Sequence, residues 1–140
     1  MKTSAAARRR SRQFLVQALY QAQLTSTEIA LVIDPFSREH NMKRADMDYF
    51  KDVLRGIANE QQKLEDLISA KADRPYKEVD PVEKSILMLG TFELYLRIDV
   101  PYRVVINECV ELAKSFGAAE SYKYVNSILD LLAKELRTSG

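Results

Sequence analysis

Apolar residues recur three and four positions apart along most of the chain, and that spacing predicts helices almost from end to end. Leu15, Ala18, Leu19 and Ala22 mark one amphipathic helix within SAAARRRSRQFLVQALYQAQL. Thr25 and Glu28 form a T-x-x-E capping box that would start a second, bearing Ile29, Val32 and Ile33. Pro35 ends or kinks that helix, although Phe36 keeps its spacing. SREHNMKRA, residues 37–45, is polar and reads as a loop. Asp46 can cap a long third helix whose seam of Phe50, Val53, Leu54, Ile57, Gln61, Leu64 and Ile68 continues without a break.

ADRPYKEVDP, residues 72–81, has two prolines and no apolar period, so it is the expected boundary between halves of about 1–74 and 75–140. Asp80, Pro81 and Glu83 then give a strong helix start: a capping side chain, proline at the first position and a carboxylate at the third. VEKSILMLGTFELYLRI is apolar almost all round, which assigns it to the middle of the fold. After Asp99-Val100-Pro101, a stripe of Val105, Cys109, Leu112 and Phe116 predicts another helix. Gly117 would end it as a left-handed residue. A last stripe runs through Ser121, Val125, Ile128, Leu129, Leu132 and Leu136. No segment alternates with strand period, so the fold class is all-α, with about six helices joined by short connections.

Charge changes this picture at one end. Residues 1–27 hold Lys2, Arg8, Arg9, Arg10 and Arg12 and no acid, whereas the remainder carries more acids than cations. Arg8 and Arg12 fall near the same helical face as Leu15 and Leu19. A helix packed along its whole length would bury two guanidinium groups, so the first two turns are expected to project from the body or to fray. A basic cluster of this kind suits nucleic acid, but an Arg-rich, acid-poor end also fits a targeting helix or a merely solvated terminus. The length of 140 residues suits one domain, and neither the 46% hydrophobic share nor any apolar run suggests a bilayer span. Cys109 is the single cysteine and lies on an apolar stripe, which fits a reducing compartment.

Catalytic chemistry finds no foothold. No glycine loop for phosphates, metal-ligand cluster or nucleophile motif is present, and His40 is a lone histidine in a polar stretch. The corner after Phe116 carries more polar chemistry than a turn requires: Ser115, Glu120, Ser121, Tyr122, Lys123 and Tyr124. Tyr122 and Tyr124, two positions apart, cannot both face inward. An exposed aromatic beside a cation is what stacking on an unpaired base would use.

Three stretches carry a resemblance: RRRSRQFLVQALYQAQL, VEKSILMLGTFEL, and VPYRVVINECVELAKSFG followed by KYVNSILD. Together they closely resemble the NusB family of bacterial transcription antitermination factors, over nearly the whole chain. The resemblance implies a cytoplasmic, non-enzymatic, compact helical protein of two three-helix bundles, six to seven helices in all, without cofactor or metal. It implies pairing with ribosomal protein S10 (NusE), binding of single-stranded boxA RNA in ribosomal RNA leaders, and entry into an RNA polymerase elongation complex. The RNA-binding residues it implies are Arg8, Arg9, Arg10 and Arg12, with Lys114, Ser115, Phe116, Gly117, Glu120 and Tyr124. Glu83 and Tyr20 would meet the protein partner. Other roles stay open: Phe116 and Tyr20 as core, Glu83 as no more than a cap, and the whole as a protein adaptor whose RNA contact is incidental. Relatives differ in self-association, so a homodimer is also open.

Overall fold

Helix-period stripes become helices throughout the computed structural model, which describes residues 4–137. Lys2 lies outside the described residues. Among them are seven α-helices and no strand: α1 (Ala5–Thr25), α2 (Ile29–Glu39), α3 (Met47–Asn59), α4 (Gln61–Lys71), α5 (Pro81–Leu96), α6 (Tyr102–Phe116) and α7 (Ser121–Leu136). A 3₁₀ turn, Tyr76–Glu78, lies between α4 and α5. The chain divides into two compact units, residues 1–59 and 60–140.

The first unit packs α1, α2 and α3 on one another. Leu15, Leu19, Val32, Ile33, Phe36, Phe50, Val53, Leu54 and Ile57 are buried in it. Phe36 and Phe50 stack with centroids 5.6 Å apart. Pro35 sits inside α2 without ending it. The T-x-x-E box does not form, because Thr25 closes α1 and its hydroxyl donates back to the Gln21 carbonyl at 2.8 Å. Ser26 leaves the helix in the left-handed region at φ 51, and Glu28, at the N-cap of α2, makes no side-chain cap.

The N-terminal turns neither project nor fray. Ser4 caps α1 by accepting from the Ala7 N–H at 3.0 Å, and Ser11 and Arg12 are buried. Ser11 accepts from the Asp46 N–H at 2.8 Å, while Asp46 caps α3 by accepting from the Tyr49 N–H at 3.0 Å. One short network therefore fixes the basic half of α1 to the start of α3.

The expected long third helix is two. Glu60, at φ −108 and ψ 14, separates α3 from α4. Both keep the seam: Phe50, Val53, Leu54 and Ile57 are buried in the first unit, Leu64 and Ile68 in the second. Gln61, placed on that seam by spacing, is exposed. In the second unit α4 packs on α5 and α7, and α5, α6 and α7 pack pairwise as a three-helix core. Asp80 caps α5 by accepting from the N–H groups of Val82 and Glu83 at 3.0 and 3.2 Å. Every residue of α5 from Ser85 to Leu94 is buried. Gly90 lets α6 and α7 come close, since a Cβ there would lie 2.8 Å from Leu129 Cδ1 and 3.0 Å from Cys109 Sγ. Arg137 ties the end of the chain to that core by donating to the carbonyls of Leu94, Glu93, Val100 and Arg97 at 2.8–3.1 Å. These carbonyls include orphan acceptors at the α5 C-terminus, where a cation suits the helix dipole.

Candidate nucleic-acid interface

The arginines of α1 separate by azimuth into different environments. Arg9 and Arg10 are exposed, Arg8 is half-buried, and Arg12 is 3% exposed. Tyr49 of α3 explains how a guanidinium is accommodated in a packed face. Arg8 lies over its ring at 4.1 Å from the centroid and Arg12 at 5.6 Å. A planar cation on an aromatic face keeps an electrostatic partner while giving up water. The sequence-based group is thus one exposed pair, Arg9 and Arg10, followed by a partly and a wholly packed arginine.

The corner between α6 and α7 is built on Gly117 and Ser121. Gly117 has φ −93 and ψ 178, so it is extended and not left-handed as expected. It is required for space: a Cβ would stand 2.7 Å from Ser121 Cβ and 2.8 Å from the Ala113 carbonyl oxygen. Buried Ser121 accepts from the Ala118 N–H at 3.1 Å, and Gly117 donates its N–H to the Ala113 carbonyl at 2.8 Å. Both N–H groups at the turn therefore have partners within the corner itself.

Those side chains form a mixed surface. Lys114, Ser115, Phe116 and Glu120 are exposed, with Phe116 at 39%. Phe116 therefore leaves the core stripe that spacing gave it. Lys114 Nζ lies 3.5 Å from Glu111 and 5.1 Å from the Tyr122 ring centroid. Lys123 Nζ lies 3.3 Å from Glu120. Tyr122 and Tyr124 are both half-buried. Tyr124 carries a partner that sequence reading missed: the Arg74 guanidinium sits 4.5 Å from its ring centroid. Its hydroxyl is buried without a hydrogen-bond partner, and burial raises its pKa above the ordinary value.

The two residues assigned to a protein partner differ. Tyr20 is half-buried on α1, while Glu83 is 8% exposed in the first turn of α5, its N–H held by Asp80. His40 is not a free loop residue, since it stacks on Phe36 with centroids 3.8 Å apart and Nδ1 3.0 Å from the Phe36 carbonyl. Among the described residues no group of three or more His, Cys, Asp or Glu could hold a metal ion. No described helix is long and apolar enough to cross a membrane. Lys43 and Arg44 form an exposed basic pair before α3, in a stretch whose sequence reads only as a polar loop.

Comparison with known proteins converges on one family. Residues 9–134 match the model described as the NusB family. The transcription antitermination protein NusB of Marinobacter nauticus is 50% identical over 130 residues, which cover 93% of this chain and 82% of that one. Its counterpart from Pectobacterium carotovorum is 48% identical over 132 residues, 94% of this chain and 95% of that one. The solved structure of T. maritima NusB superposes with a TM-score of 0.82 at 31% identity, covering 96% of this chain and 94% of that chain. The match spans both basic α1 and the α6–α7 corner, and on this evidence of sequence and fold the chain belongs to the NusB family.

Proposed function

We propose that this chain is a cytoplasmic, RNA-binding transcription antitermination factor. With NusE it binds the boxA element of nascent ribosomal RNA leaders and joins the RNA polymerase elongation complex to suppress premature termination. The observation that carries the RNA part is the exposed pair Arg9 and Arg10 on a helix whose neighbouring arginines are held by Tyr49. Arginine supplies bidentate phosphate contacts and can stack on bases. In the second unit, Lys114, Ser115, Phe116 and Glu120 are exposed at a rigid corner, with Tyr124 half-buried beside them. These groups supply selection through stacking and hydrogen bonding. Relatives named as antitermination proteins support the biological setting.

Titration of boxA-type leader RNA, with and without NusE, tests this reading. Phosphate contacts by Arg8, Arg9, Arg10 and Lys114 would give a log K against log salt slope of about −3 for a single strand. A slope near zero, or binding that requires NusE and ignores the arginines, would favour a protein adaptor with incidental RNA contact. Tyr20 and Glu83 are the positions to vary for NusE. Sedimentation of the free protein would decide between monomer and homodimer.

A further inference from the structure

A cavity of about 360 Å³ opens in the first unit beside the arginine run, lined by Arg10, Phe14, Asn41, Lys43 and Arg44. Four of the five are polar and exposed, and none of the five is an acid. Asn41 Oδ1 already accepts from the Lys43 N–H at 3.1 Å, so the side chain has its NH₂ group left to offer. Two guanidinium groups, an ammonium and an amide NH₂ make a lining of hydrogen-bond donors. Such a lining suits a ligand that only accepts and carries negative charge. Phe14 supplies the apolar wall; it is half-buried and held edge-on by Phe36 and His40, at centroid distances of 6.1 and 5.9 Å. The volume falls at the lower end of ligand-sized cavities.

We propose that this cavity is a nucleotide subsite for single-stranded RNA: Arg10, Lys43 and Arg44 hold a phosphodiester, Asn41 donates to it, and a ribose or base lies against Phe14. The inference rests on the RNA-binding reading above and extends the RNA contacts from α1 onto the connection between α2 and α3. It also gives Arg10 a role distinct from that of Arg9.

The test is the salt dependence of leader-RNA binding by the full chain and by Lys43→Ala/Arg44→Ala, with Arg38→Ala/Arg55→Ala as a control of equal charge change on exposed positions of the same unit. Loss of two phosphate contacts should flatten the log–log slope by about 1.4, at about 0.7 per contact. The control should leave the slope unchanged. A slope unchanged in Lys43→Ala/Arg44→Ala, or flattened equally in the control, overturns the subsite while the wild-type titration still upholds RNA binding. Absence of RNA binding by the wild type, with or without NusE, overturns both. Inorganic phosphate, followed through the Asn41 side-chain NH₂ resonances, is the remaining arm. Shifts there together with an unchanged RNA slope identify a free-anion site and overturn the RNA subsite.

Discussion

Replacing Arg12 separates what the basic helix does for folding from the RNA role proposed for it. Sequence counts Arg12 with Arg8, Arg9 and Arg10, but the fold leaves 3% of it exposed, with its guanidinium 5.6 Å from the Tyr49 ring centroid. Arg12→Ala removes a desolvated cation–π contact of about 1–2 kcal/mol. It also removes two buried stem methylenes, Cγ and Cδ, at about 0.8 kcal/mol each. Freeing the side chain returns up to about 2 kcal/mol of rotamer entropy. The net loss is about 1 kcal/mol, whereas Arg9→Ala, at an exposed position, should stay within about 0.5 kcal/mol of wild type. The chain has no tryptophan, so urea unfolding is followed by far-UV circular dichroism. With an m-value of about 2 kcal/mol per molar, the midpoint for Arg12→Ala should fall by about 0.5 M. Arg9→Ala should keep its midpoint and bind RNA more weakly at fixed salt. An Arg12→Ala protein with a wild-type midpoint and weakened RNA binding would refute the structural role and return Arg12 to the RNA face.

Four further outcomes follow from particular contacts. Glu120→Gln removes an exposed acid that is 3.3 Å from Lys123, and fluorescence anisotropy at fixed salt should show tighter RNA binding; weaker binding would mean that the carboxylate accepts from a base. Tyr124→Ala should cost about 1–3 kcal/mol of RNA affinity through lost stacking, while Tyr124→Phe, which deletes a buried hydroxyl without a partner, should keep affinity and raise stability by about 1 kcal/mol; an equal loss of affinity in both variants would contradict the stacking role. Gly117→Ala should destabilise by about 1–3 kcal/mol in urea unfolding because its Cβ meets Ser121 and Ala113, and an unchanged midpoint would show that the corner can relax. Burial, reinforced by the charge of Glu65, holds the Tyr76 phenol well above its ordinary 10.0, so the unfolded chain loses that proton first. The stability this contributes is whole below about pH 10 and declines as pH rises past it, and Tyr76→Phe should flatten the alkaline limb of the stability–pH curve; a limb of unaltered steepness would count against it.

Much of the fold was legible because its signals are local. Asp46 and Asp80 cap the helices assigned to them, since a short acid one position before a helix needs only the next two or three N–H groups. Thr25 failed by the same standard: α1 runs far enough that its hydroxyl meets the Gln21 carbonyl before any N–H of α2. The break at Glu60 left no trace in the periodicity, because Ile57 and Leu64 keep one register across it. What distinguishes them is the company they keep. Ile57 is buried in the unit of α1–α3, whereas Leu64 belongs to a helix packed on α5 and α7. A hydrophobic stripe states that a face will be covered and says nothing of which helices cover it.

The same reasoning explains where the candidate interface was misread. Azimuth put Arg8 and Arg12 on the packed face of α1, and that placement was correct; the error was to treat a buried guanidinium as necessarily unpaired. One partner, the Tyr49 ring, lies on another helix and has no sequence spacing that points back to Arg12. Gly117 shows the converse. Glycine after a helix suggested a left-handed residue, but the backbone there is extended and the glycine is demanded by Ser121, four positions on. Tyr124 shows both effects, since Arg74 covers its ring from a proline-containing stretch read only as a boundary. A base that stacks on Tyr124 must therefore displace the guanidinium or extend the stack on its far side. A cation–π contact at a partly exposed site is worth about 0.5–1 kcal/mol, against about 1–3 kcal/mol for base stacking. Displacement is thus affordable, and on the proposed function Arg74 would set how much of the stacking energy reaches the RNA affinity.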